Sequence, residues 1–133
     1  MLSQTSRYAL HLLGFLAARP GEQVRGEEVA AATGVPASYL PKILNQLRKA
    51  GLVDTRRGWH GGFRLREEAF DRPIREVLAA LDGVDSVERS DCVFGLPQCD
   101  ADHPCPLHPQ WEDIRRRYLE MISSTRIRDL APP

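Results

Sequence analysis

From Ser6 to Ala18 the apolar residues Tyr8, Leu12, Phe15 and Leu16 stand at i, i+4, i+7 and i+8. That period predicts a helix with one buried face, stopped by Arg19-Pro20-Gly21. Glu27 to Thr33 reads as a second helix of two turns, with two acids in its first turn and Gly34 beyond its end. A third starts near Ser38, a good N-cap, and carries Leu40, Ile43, Leu44 and Leu47 inward until Gly51. Pro41 belongs in its first turn, where a missing N–H costs nothing. Two strand-like runs follow, Leu52–Arg56 and Gly62–Arg66, joined through Arg57-Gly58-Trp59-His60-Gly61, which predicts a hairpin. Pro73 opens a fourth helix with Ile74, Val77, Leu78 and Leu81 on one face. A last helix spans about 110–123, with Trp111, Ile114, Tyr118 and Met121 in a stripe that Ile122 widens.

Helix, helix, turn, helix, hairpin is the order of a winged helix-turn-helix. The fold class expected is mainly α with a small β-hairpin, a winged helix-turn-helix plus a long C-terminal dimerisation helix. The chain divides into a DNA-binding domain over 1–83, a cysteine-rich cluster-binding loop over 84–109, and a dimerisation helix and tail over 110–133. A stripe so apolar on a surface helix predicts a homodimer.

The 133 residues carry no net charge, but the sum conceals a division. Residues 1–66 hold ten Lys/Arg and four acids, a net +6; residues 67–133 hold eight and fourteen, a net −6. A basic half that coincides with the winged-helix pattern points to a polyanion, double-stranded DNA. No apolar run reaches the length of a membrane span, and no signal-peptide pattern opens the chain. A cytoplasmic location is expected, with no membrane partner. The absence of a Ser/His/Asp set or a phosphate-binding loop argues against an enzyme.

On the third helix Ser38, Lys42, Asn45 and Lys49 follow i, i+4, i+7 and i+11. They face outward together, with hydroxyl, ammonium and amide groups suited to base edges and phosphates. At the hairpin Arg57 is the candidate for a minor groove, with Arg56 and Arg64 on phosphates. Trp59 is expected to pack the wing against its own domain, and His60 to be exposed. His11 is expected to be a packed or surface histidine without a ligand role.

Cys92, Cys99 and Cys105 are the only cysteines, spaced C-x6-C-x5-C, with His108 following as C-x2-H. Pro97, Pro104, Pro106 and Pro109 exclude a helix interior or central strand there. Three sulfurs and a nitrogen suit an iron–sulfur cluster or zinc. The lack of a C-x2-C pair counts against structural zinc, and metal-free thiols that form a disulfide are a third option. An odd cysteine count argues against a secreted disulfide framework. His103, Asp100 and Asp102 are alternatives to His108 as the fourth ligand. An electron carrier would have no use for the basic wing.

Several stretches together resemble the IscR/NsrR-type winged-helix regulators. They are Arg7-Tyr8-Ala9-Leu10, Ser38-Tyr39-Leu40, Leu47-Arg48-Lys49-Ala50-Gly51-Leu52-Val53 and Arg57-Gly58-x-x-Gly61-Gly62-Phe63-x-Leu65. The three-cysteine loop, Trp111 and Thr125-x-Ile127-x-Asp129-Leu130 complete the pattern. The resemblance implies a homodimeric bacterial transcription factor and places Tyr39 among the DNA-facing residues. It also implies an iron–sulfur cluster on the cysteines that changes DNA binding. In the [2Fe-2S] branch of that family the fourth ligand is a histidine three residues after the third cysteine, the place of His108. In a nitric-oxide-sensing branch it can be an acid from the first helix, and this chain has no acid before Glu22. The chain departs from its relatives at Pro41, at Trp59-His60 in the wing turn, and in a first cysteine gap one residue longer.

Overall fold

Ser3 starts the first helix. Its Oγ accepts the Ser6 N–H at 3.1 Å, capping α1 (Gln4–Ala17). In the computed structural model, which describes residues 2–83 and 92–132, this cap is also a tertiary joint. The Ser3 and Ser6 hydroxyls donate to the Asp82 carboxylate at 3.0 and 2.6 Å. A carboxylate held there also opposes the positive end of the helix.

Next come α2 (Gly26–Thr33) and α3 (Leu40–Lys49). Gly34 ends α2 at φ +75, a backbone angle that favours glycine. The sequence places the start of α3 near Ser38. A 3-10 turn, Ala37–Tyr39, instead precedes it, and Tyr39 takes the cap position with no capping side chain. Pro41 does lie in the first turn.

Strands β1 (Val53–Arg56) and β2 (Gly62–Leu65) form the antiparallel hairpin, with Val53 opposite Leu65 and Arg56 opposite Gly62. Val24 adds a third rung, exchanging two backbone bonds with Phe63 at 2.8 and 2.9 Å. Gly62 lets this happen. A Cβ there would sit 2.5 Å from the Val24 carbonyl oxygen.

Helix α4 (Ile74–Asp82) follows, and α5 (His108–Ser124) closes the helical set. The start of α5 is two residues earlier than the period of its apolar stripe indicates. Pro109 is in its first turn, where proline is tolerated, so the helix absorbs His108 and Pro109 from the cysteine loop. The beginning of that loop, near Glu88, lies outside the described residues.

The core joins all these elements. Leu12, Leu13, Leu16, Ile43, Leu47, Leu52, Leu78, Ile122 and Ile127 are its largest fully buried side chains. Burying one such side chain contributes about 1.5–3 kcal/mol. Ile122 therefore leaves the expected outward stripe and packs inside, while Tyr118 and Leu119 lie partly against the core. Beyond α5 the chain returns across the fold. Ile74 N–H donates to the Thr125 carbonyl at 2.9 Å, and Ile127 N–H to that of Arg72 at 3.0 Å. A 3-10 turn, Ile127–Leu130, then docks on α1. Gly14 permits that approach, since a Cβ on it would meet the Leu130 carbonyl oxygen at 2.5 Å.

Candidate nucleic-acid interface and metal centre

Helix α3 is anchored by Leu40, Ile43 and Leu47, all buried, and so turns its other face to solvent. Ser38, Tyr39, Lys42, Asn45 and Lys49 are all exposed there. Lys42 and Lys49 have no carboxylate partner among the described residues. Asn45 is not free-standing. Its Oδ1 accepts from Arg48 Nη2 at 3.0 Å, so Arg48 joins the face. Its i, i+3 spacing from Asn45 was the signal that could have found it. The Tyr39 ring stands edge-on to Tyr8 at 4.9 Å, and Gln4 Nε2 donates to the Tyr8 hydroxyl at 2.5 Å. The start of α1 thus supports the start of α3. Thr5, Ser38, Tyr39, Lys42 and Ile43 line a cleft of about 230 Å³ at that junction.

The hairpin carries Arg56, Arg57 and Arg64, all exposed. Arg64 Nη2 lies 3.8 Å from Asp54 Oδ2, its cross-strand neighbour, and Asp54 also faces Arg66 at 3.7 Å. Exposed pairs of this kind are weak and leave the guanidinium open to a phosphate. Arg56 and Arg57 have no carboxylate partner among the described residues. The expectation for Trp59 fails. It is 87% exposed and touches only the edge of the His60 ring, 5.9 Å between centroids. The turn that carries it is closed by Gly61 N–H on the Gly58 carbonyl at 2.9 Å. His60 and His11 are both exposed.

In the cysteine loop, Cys105 is buried and Cys92 and Cys99 are half-buried. Cys99 Sγ lies 3.3 Å from His108 Nδ1. The His108 backbone is fixed in turn to the third cysteine, its N–H donating to the Cys105 carbonyl at 3.1 Å. Cys92 is wrapped by the turn that follows it, closed by Gly95 N–H on the Cys92 carbonyl at 3.0 Å with Gly95 at φ +94. Desolvation raises the Cys92 thiol. Hydrogen bonds from the Leu96 and Phe94 N–H groups, the Cys105 thiol and the Gly95 N–H outweigh it and hold the thiol below the ordinary cysteine value. Successive N–H groups aimed at one atom make an anion-binding nest. Cys99 goes the other way. Desolvation pushes it up first, then the charges of Cys92, Glu112 and Cys105, against the pull of Arg115. The same loop therefore holds one thiol shifted down and one shifted up from the ordinary cysteine value.

His103 is placed differently from His108. Its Nδ1 pairs with Asp100 Oδ2 at 2.9 Å, and Asp100 also accepts the Asp102 N–H at 2.9 Å. His103, Asp100 and Asp102 thus make a local turn of their own. Among the described residues no three His, Cys, Asp or Glu side chains converge on one point as a metal ion would need. Cys99 and His108 are in contact, and the charges of Cys92 and Cys105 both act on the Cys99 thiol.

The profile of the Rrf2 family, described as an iron-dependent transcriptional regulator, matches residues 2–133. The chain belongs to the Rrf2 family. It is 31% identical over 132 residues to a protein of Aquifex aeolicus that carries only the general designation of an HTH-type transcriptional regulator, covering 98% of this chain and 90% of that one. It is 34% identical over 103 residues to the HTH-type transcriptional regulator IscR of Vibrio vulnificus, covering 77% of this chain and 60% of IscR. The structure of CymR, the global cysteine regulator of B. subtilis, superposes with a TM-score of 0.80 at 26% identity over 98% of this chain and 95% of CymR. As an Rrf2-family member the chain is a transcriptional regulator and not an enzyme. The mainly helical fold with its small winged hairpin is that of these regulators. No helix among the described residues is long and apolar enough to cross a membrane.

Proposed function

We propose that this Rrf2-family regulator is a cytoplasmic homodimer that reads an operator through α3 and the wing and carries an iron–sulfur cluster on Cys92, Cys99, Cys105 and His108. The observation that supports a metal centre most is the contact of a sulfur donor with a nitrogen donor, Cys99 with His108. A [2Fe-2S] cluster takes its protein ligands two to each iron. Zinc takes four around one point. Two ligands on one tetrahedral centre lie about 3.6 Å apart for metal–sulfur and metal–nitrogen bonds of about 2.3 and 2.0–2.1 Å. The 3.3 Å between Cys99 Sγ and His108 Nδ1 is close to that span. The nest around Cys92 fits a sulfur that carries negative charge.

When bound, the cluster supplies an electron-accepting, oxidation-sensitive centre. The protein side of the reading is mechanical. His108 is the first residue of α5, so its imidazole is tied to the helix whose exposed Ile114 and Met121 face a second copy. Loss of the Cys99–His108 pairing frees that first turn and shifts the population of dimers whose wings match two half-sites. Ser38, Tyr39, Lys42, Asn45 and Lys49 face the major groove, Arg57 the minor groove, and Arg56 and Arg64 the phosphates. Cluster loss is then read as a change in DNA affinity. The segments 1–83, 84–109 and 110–133 keep the roles of DNA binding, cluster binding and dimerisation.

The lowered Cys92 thiol, with the Cys105 thiol among its causes, supports a second reading, a thiol/disulfide switch on the same loop. Anaerobic reconstitution with iron and sulfide separates the readings. The expected product absorbs visible light, loses the band on Cys92→Ala, Cys99→Ala or Cys105→Ala, and keeps a weaker, less stable band on His108→Ala. A colourless protein that takes up only zinc, with unchanged DNA affinity, would overturn the sensor. Oxidant-dependent Cys92–Cys105 cross-linking in a colourless protein would establish the second reading.

A further inference from the structure

Neither the fold nor the reading above uses Trp59. It is the most exposed large hydrophobic side chain among the described residues, and the wing is built so that it stays out. Gly58 at φ +93 and His60 at φ +63 bend the apex. His60 holds a left-handed conformation that histidine adopts more readily than most non-glycine residues. Gly61 closes the turn on the Gly58 carbonyl at 2.9 Å, and a side chain at Gly61 would collide with the Arg56 carbonyl. The His60 ring then props the indole edge-to-face, with the two planes 84° apart. The result is an indole that projects from the wing apex into solvent.

Its electrical surroundings say what it meets. Arg56 and Arg57 precede it on the same hairpin without a carboxylate among the described residues, while Asp54 holds Arg64 and Arg66 further down. An aromatic face beside two open guanidinium groups suits a partner with stacked rings and a dense negative backbone. An acidic protein surface would offer the charge but no stack of planar rings for a flat indole to enter.

We propose that Trp59 is a wedge that enters the operator from the minor groove, between two stacked base pairs, and kinks it. The proposal rests on the DNA-binding reading of the wing. Apolar side chains inserted from that groove unstack a base step and bend the duplex toward the major groove. That bend wraps the duplex toward α3. The unstacking is easiest at pyrimidine–purine steps, TA and CA/TG, and an aromatic ring recovers part of the lost stacking. Trp59 therefore imposes a base preference at a step that no hydrogen bond reads. A second copy in the dimer places a second kink symmetrically.

The test selects binders from a pool of duplexes with a randomised centre, using the wild-type protein reconstituted with iron and sulfide and again metal-free. Trp59→Ala and Trp59→Phe go through the same selection. Wild type should enrich a two-fold symmetric site with a fixed TA or CA/TG step at one distance outside each half-site. Trp59→Ala should lose that step alone, bind the selected duplex about tenfold more weakly and bend it less by gel mobility. Trp59→Phe should keep the step. Saturating duplex should quench wild-type indole fluorescence, and the quenching should vanish in Trp59→Phe, which retains Trp111 as its indole. If Trp59→Ala selects the same step with the same affinity and bend, the wedge is wrong and the DNA-binding reading stands. If wild type enriches no duplex in either state, both fall.

Discussion

In the winged half, residues 2–83, side chains from α1 to α4 bury Leu12, Leu13, Leu16, Ile43, Leu47, Leu52 and Leu78 almost completely. In the cysteine loop, residues 92–107, Cys105 alone is buried, while Val93, Phe94, Leu96 and Leu107 are exposed. The first region derives its shape from apolar area removed from water. The second is shaped by prolines, backbone turns and polar donors aimed at sulfur, which are short-range and individually weak. A DNA-reading surface needs fixed distances between α3 and the wing, and a packed core supplies them. A loop held by turns and single polar contacts opens at a lower free energy than a packed core does. Helix α5 belongs to both regions: Ile122 is in the core, while Ile114 and Met121 are exposed.

Three variants test that contrast, in descending order of effect on folding. Leu47→Ala should destabilise the protein by about 2–5 kcal/mol, the range for emptying a buried leucine site. Urea unfolding followed by circular dichroism reads it, and a cost below 1 kcal/mol would mean the winged core is not the main source of stability. Gly14→Ala should cost about 1–3 kcal/mol, although alanine is ordinarily the better helix former by about 1 kcal/mol. The added methyl would meet the Leu130 carbonyl. A stabilised Gly14→Ala would show that the C-terminal turn does not hold its place on α1. The paired change Ile114→Glu with Met121→Glu should alter monomer stability by no more than about 0.5 kcal/mol yet abolish dimers in sedimentation. Dimers that persist at micromolar concentration would relocate the interface from this face of α5.

How much was legible in the sequence depends on how local each cause is. Helix period, the stop at Gly34 and the place of Pro41 are set within a few residues, and they read correctly. The start of α3 was misplaced because a 3-10 turn satisfies the same local signals as a capped helix. Trp59 is expected to pack the wing against its own domain, yet it stands in solvent, because no other segment among the described residues comes to lie over the hairpin apex and a linear pattern does not show which segments meet. The His108 spacing suggested a ligand. Only the fold distinguishes it from His103, placing the first against Cys99 and the second on Asp100.

The sequence by itself determined the element order, the basic and acidic halves and the set of sulfur and nitrogen donors. These are matters of residue type and spacing, which no folding changes. Tertiary structure decided the rest. It sent Ile122 inward, left Ile114 and Met121 outside, returned the C-terminal segment over Gly14, tied Asp82 to the cap of α1, and set Cys99 against His108. Each of these depends on which distant segment occupies the neighbouring space, and that is settled only when the whole core closes at once.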